Sequence, residues 1–219
     1  MKSWNNTSSN TSLGGGRQIE RLKLNDQGTK IRLVGSVLPR YIYWVTNNEG
    51  KKHPLDCLSF DREKESMISG VKDPVLEIPK EIYSEKPSFA YVCNVIDRAS
   101  KSIKIFDLKG TIYKEILAYV KNNEYGDPTD PKTGYDLTIE RMKTGPLAIN
   151  VKYKVVPSRS SIPLTEEEMA MELYDLDKIF KPAEYDSQKE WLVKNTSYFA
   201  EMLGKELSIN PGEKMEDLS

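Results

Sequence analysis

Lys30-Ile31-Arg32-Leu33-Val34-Gly35-Ser36-Val37-Leu38-Pro39-Arg40-Tyr41-Ile42-Tyr43-Trp44-Val45 is the stretch whose reading decides the fold class. Both halves alternate. Lys30 and Arg32 fall on one side while Ile31 and Leu33 fall on the other. Arg40, Ile42 and Trp44 share a side, and Tyr41, Tyr43 and Val45 take the opposite one. A period of two with β-branched and aromatic residues is the mark of a strand. The Gly35–Pro39 interval predicts a bend between two strands. Cations interleaved with rings on a sheet suit an unpaired polyanion carrying flat bases, because cations take phosphates and rings stack on bases. The same pattern also suits an ordinary half-buried sheet with core tyrosines and solvated cations.

Further strands follow outward from this one. Ser88–Ile96 alternates as Phe89, Tyr91, Cys93, Val95 against Ala90, Val92, Asn94, Ile96. Asp97-Arg98-Ala99-Ser100 turns the chain, and Lys101–Leu108 returns with Ile103 and Ile105 inward. A helix is predicted from Thr111, as its N-cap, to about Asn122. It carries Ile112, Ile116, Leu117 and Val120 on one side. Tyr135–Lys143 and Leu147–Val156 form a second hairpin across Thr144-Gly145-Pro146. Residues 61–87, broken by Gly70, Pro74, Pro79 and Pro87, read as an irregular excursion. The sum is a mainly β fold with added helices: an antiparallel closed or partly open small barrel with one inserted helix.

Past Pro157 the pattern becomes helical. Thr165-Glu166-Glu167-Glu168 is a capping box, followed by Met169, Leu173, Leu176 and Phe180 on one stripe. Ser187-Gln188-Lys189-Glu190 reads as a second capping box, for a helix with Leu192, Phe199, Met202 and Leu203 and with Gly204 at its end.

The net charge of −1 over 219 residues hides an asymmetry. Residues 161–219 hold 14 Asp/Glu and 6 Lys/Arg, a balance of −8, which leaves +7 for residues 1–160. A basic body with an acidic end is a pattern expected of nucleic-acid binders. Two cysteines, Cys57 and Cys93, make no disulfide framework and fit a reducing cytoplasm. No apolar run approaches the roughly 20 residues of a membrane span. The start, Met1-Lys2-Ser3-Trp4-Asn5-Asn6-Thr7, lacks the apolar core of a secretory signal.

No catalytic signature emerges, so a binding protein rather than an enzyme is expected, with no cofactor. His53 is the only histidine. His53 and Cys57, even with Cys93, fall short of the four ligands of a structural zinc site, so no metal is expected. Asp127, Asp130, Asp136 and Glu140 read as a solvated loop entering a strand rather than a two-metal nuclease centre.

The candidate nucleic-acid-binding residues all sit on the predicted strands or their turns. Lys30, Arg32, Arg40, Tyr41, Tyr43, Trp44 and Lys52 come from the opening stretch and the turn after it. Phe89, Tyr91, Arg98, Lys104 and Phe106 come from the next hairpin. Arg141, Lys143, Lys152, Tyr153 and Arg159 come from the last. Together they are expected to line one groove that follows a single strand.

The chain also resembles the single-stranded-DNA-binding proteins of T-even-type bacteriophages and their shorter phage relatives, from about Leu22 to Glu168. The resemblance rests on Ile31-Arg32-Leu33-Val34 with Pro39-Arg40-Tyr41, on Lys86–Val92 with Ile96-Asp97, and on Lys104–Gly110 with Ile112–Ile116. It continues in Asp127-Pro128-Thr129-Asp130, Asp136–Ile139 and Tyr153-Lys154-Val155. It implies an OB-fold core over 23–160. A flexible arm over 1–22, a helical extension over 161–204 and an acidic flexible tail over 205–219 complete the chain. It further implies sequence-nonspecific binding of single-stranded DNA in phage replication, recombination and repair, in the host cytoplasm. Replication and recombination proteins would contact the acidic end, and copies would associate along the DNA. The zinc subdomain of the T-even members has three cysteines and a histidine, whereas only His53 and Cys57 occupy the equivalent region here. The competing expectation is a replisome or virion protein-interaction module that binds no nucleic acid.

Overall fold

A computed structural model describes residues 18–77, 87–122, 124–147 and 150–196. The expected tail over 205–219, most of the expected arm, and Phe199, Met202, Leu203 and Gly204 lie outside the described residues. The chain divides into two compact units, Met1–Pro39 with Ala90–Lys181 and Arg40–Phe89 with Pro182–Ser219.

The architecture is mainly β with short helices, as the alternation predicts. The expected pair of strands around Gly35 is one strand, β1 (Thr29–Thr46). Gly35 absorbs the bend within it at φ +69°, a left-handed conformation that favours glycine. Strands β5 (Ser88–Asp97) and β6 (Ser102–Leu108) form the expected antiparallel hairpin, with Cys93 opposite Phe106 and Asn94 opposite Ile105. Helix α1 (Gly110–Val120) follows. Its N-cap is Lys109 rather than the expected Thr111, with no side-chain cap. Strands β7 (Leu137–Lys143) and β8 (Val151–Pro157) make the last hairpin. The sheet runs in the order β6-β5-β1-β7-β8.

In the first unit the β6, β5 and β1 part of this sheet is buried on both faces. Ile31, Leu33, Cys93, Val95, Phe106 and Leu108 join α1's Ile112 and Ile116 in one cluster. Val34, Leu38, Val92, Ile96, Ile103 and Ile105 form another, covered by Tyr174, Leu176 and Phe180. That second cover comes from the acidic C-terminal stretch. The single helix expected there is two isolated turns, α2 (Glu166–Met169) and α3 (Leu176–Ile179). The capping box at Thr165 and Glu168 is present. The helix stops because Asn94 takes up the Tyr174 backbone. The Asn94 amide donates to Tyr174 O at 3.0 Å, and its carbonyl accepts from Tyr174 N at 3.1 Å. Tyr174 then reaches the first described residues, its hydroxyl donating to Gln18 O at 3.0 Å and accepting from Glu20 N at 3.1 Å.

In the second unit the far half of β1 pairs with β2 (Lys52–Asp56), a strand the sequence reading missed. Pro54 and the absence of alternation hide it, although the Asn47–Gly50 turn that closes the hairpin is legible. A small ladder, β3 (Phe60–Asp61) with β4 (Ser66–Met67), occupies part of the expected irregular excursion. Helix α4 (Tyr185–Asn195) begins ahead of the expected Ser187 cap and buries Trp191 and Leu192 against Tyr43, Val45 and Leu55.

Candidate nucleic-acid interface

Several of the candidate residues are part of the interior. Arg32 is 0% exposed, not solvated as its place opposite Ile31 suggested. Its guanidinium donates to Ile162 O at 2.7 Å and Asp130 O at 2.8 Å, with Asp136 at 3.9 Å. Burial lowers its pKa from the ordinary arginine value, and Asp136 works against that shift. Gly134 makes the cradle possible: a Cβ there would stand 2.7 Å from the Arg32 guanidinium and 2.4 Å from Asp130 O. Asp136 is a buried hub. It accepts from Arg98 Nε at 3.0 Å and Nη2 at 2.8 Å, and Lys30 Nζ lies 3.4 Å away. Arg98 also pairs with Glu168 of the capping box. Lys104 donates to Asp97 at 2.7 Å. Burial would raise the Asp97 pKa, but Lys104, the Ala99 N–H and the Ser100 hydroxyl bring it below the usual carboxylate value.

The second unit shows the same diversion. Arg40 makes a two-point contact with Asp56 at 2.8 and 2.6 Å, and Arg62 lies 3.6 Å from the same carboxylate. Tyr43 is buried, its hydroxyl 3.2 Å from Cys57 Sγ. Burial pushes the Cys57 thiol up to about 12. Back in the first unit, Tyr91 is buried and stacks on Tyr113 at 3.6 Å, and Phe106 is core. The seventeen candidates therefore fall into three groups: core rings, internally paired cations, and a smaller surface set. The reason is that apolar partners and carboxylates inside the protein take these groups first.

The surface set is distributed over both units. In the second, Phe89 stands 45% exposed, edge-on to Tyr41 at 5.1 Å, and both rings contact Phe60. Trp44 is half-buried and Lys52 exposed. In the first, the β7–β8 hairpin carries the greater charge. Residues 137–159 hold Arg141, Lys143, Lys152, Lys154 and Arg159 against the single carboxylate Glu140. The register sets Arg141 opposite Tyr153, Lys143 opposite Val151, and Met142 opposite Lys152. Arg141 and Tyr153 therefore share one face, and Lys152 and Lys154 the other.

Lys109 is the residue the sequence reading left out. Its ammonium lies 4.6 Å from the centre of the Tyr153 ring. Partial burial opposes ionisation of the Tyr153 phenol, but the neighbouring Lys109 and Arg141 cations bring its pKa below the usual tyrosine value. Arg141 also pairs with Asp26. The available signal was Lys109-Gly110 between a strand and a helix whose first turn lacks an acid.

The carboxylates weighed as a nuclease centre have other tasks. Asp136 is enclosed by arginines, and Asp130 accepts from the Lys132 and Thr133 backbone. The His53 ring lies 4.9 Å from that of Trp191, and Cys57 Sγ is in contact with the Tyr43 hydroxyl. Among the described residues no group of three or more His, Cys, Asp or Glu side chains could hold a metal ion. No described helix is long and apolar enough to cross a membrane.

No family model matches the chain. Over 153 residues it is 39% identical to a probable ssDNA-binding protein of Escherichia phage T5. The matched stretch covers 66% of this chain and 56% of that protein, so the chain spans little more than half the length of the curated relative it matches.

Proposed function

We propose that the protein binds single-stranded DNA without reading its sequence, as a non-enzymatic component of phage replication, recombination and repair. The observation that carries this reading is the β7–β8 hairpin with the two residues after it, where five cations stand against one carboxylate and Arg141 shares a face with the half-buried Tyr153. Cations at that density release counterions when they meet phosphates. The exposed Phe89 and its partner Tyr41 supply, in the other unit, rings on which bases stack. The likeness to the phage T5 protein supports the same reading. The acidic C-terminal region would contact replication and recombination proteins, and copies would associate along the strand in the host cytoplasm.

A titration of oligo(dT) into the full chain, followed by intrinsic fluorescence at two salt concentrations, tests this. Saturable quenching that weakens steeply with salt is expected, because each neutralised phosphate contributes about 0.7 to the logarithmic slope for single strands. No binding at low salt would instead favour the protein-interaction module.

A further inference from the structure

We propose that Lys109, Arg141 and the Tyr153 hydroxyl form a seat for one backbone phosphate of the bound strand, so that Tyr153 acts through its hydroxyl and not as a stacking ring. The inference rests on the single-stranded-DNA reading and says how one part of that surface works. Tyr153 packs against the core cluster of the first unit. Lys109 stands over its ring at 4.6 Å. A base has no clear face on which to stack there. The polar end of the ring has the opposite character, since the cross-strand Arg141 and the overlying Lys109 both favour negative charge on the phenol. Arg141 is fixed as the direct cross-strand partner of Tyr153. Lys109 is fixed because it links the last residue of β6 to the first of α1.

The chemistry fits a phosphate. A guanidinium has five N–H donors, so Arg141 can keep Asp26 and still present donors to a second anion. The ammonium and the phenol add donors of different reach. No carboxylate occupies the first turn of α1 to compete for the anion, and Gly110 at its start faces open space. A phosphodiester would add to the one ion pair, with Asp26, that the structure shows for Arg141.

The test compares full-length Lys109→Ala, Arg141→Gln and Tyr153→Phe with the wild type in oligo(dT) titrations across a salt series. Lys109→Ala and Arg141→Gln should each reduce the salt slope by up to about 0.7, the share of the one phosphate they both serve. Tyr153→Phe should weaken binding by about tenfold or more, the value of a hydrogen bond to a charged group. Wild-type affinity in Tyr153→Phe with loss in Tyr153→Leu would mean ring stacking and would overturn the seat. Unchanged slopes in both cation variants would overturn it too, while leaving single-strand binding in place. Absence of binding by the wild type would remove both proposals. Should Arg141→Gln not fold, the Tyr153 ring resonances of the wild type give a second readout. They should shift on adding the dinucleotide pTpT and not on adding thymidine. Equal shifts with both would count against the seat.

Discussion

Arg32 shows how far a residue's chemistry depends on what surrounds it. In the sequence it alternates with Ile31 and Leu33 as a solvated strand cation would. In the protein it is enclosed, with Ile162 O, Asp130 O and Asp136 as partners and Gly134 pressed against it. Removing the guanidinium takes the donor from the Ile162 and Asp130 carbonyls while Asp136 keeps Arg98 and Lys30, which costs about 1–3 kcal/mol for each carbonyl. Arg32→Met should therefore lower the unfolding free energy by that amount in a denaturant titration with an unchanged m value. A loss under about 1 kcal/mol would mean that water reaches the Ile162 and Asp130 carbonyls and replaces the guanidinium. The same reasoning makes Arg32 a poor reporter of ligand binding, because its loss acts on the fold. Tyr153, Lys109 and Arg141 report on the surface instead.

At the scale of elements, side chains override periodicity. The stripe Met169, Leu173, Leu176, Phe180 is legible as one helix, but Asn94 of β5 claims the Tyr174 backbone and splits it. That pair of bonds holds the 164–180 stretch on the outer face of the sheet in the first unit. Asn94→Ala would leave a buried N–H and C=O without partners, at about 1–3 kcal/mol each. We expect it to speed proteolysis within residues 164–180 before the sheet itself unfolds. Cleavage at the wild-type rate would show that the apolar anchors Tyr174, Leu176 and Phe180 suffice. The hairpins behave differently. β5–β6 and β7–β8 follow the alternation closely because their partners are adjacent in sequence and local turns set their register.

At the scale of the whole molecule, the charge asymmetry matters more than the net charge. Residues 205–219 carry Glu206, Glu213, Glu216 and Asp217 against Lys205 and Lys214, a balance of −2. If this segment competes with DNA for cationic surface, a chain ending at residue 204 should bind oligo(dT) as tightly as the full chain or more tightly at low salt, with the gain fading as salt rises. Clear weakening would mean that the segment contributes contacts of its own. Candidate residues were legible only in part. Exposed Lys143, Lys152 and Phe89 could be named from pattern and type. Lys109 could not, because its value comes from lying over a ring on a strand more than forty residues further along the chain.

By itself the sequence determined the mainly β architecture, the two long hairpins, the inserted helix and the split between a basic body and an acidic end. Those depend on local periodicity and composition, which act between neighbours along the chain. Only the tertiary structure decided which cations are enclosed, which rings are core, where the C-terminal helix breaks, and that Lys109 meets Tyr153. These depend on which carboxylate, carbonyl or ring arrives from a distant segment, and a buried group takes whichever partner lowers its cost of leaving water.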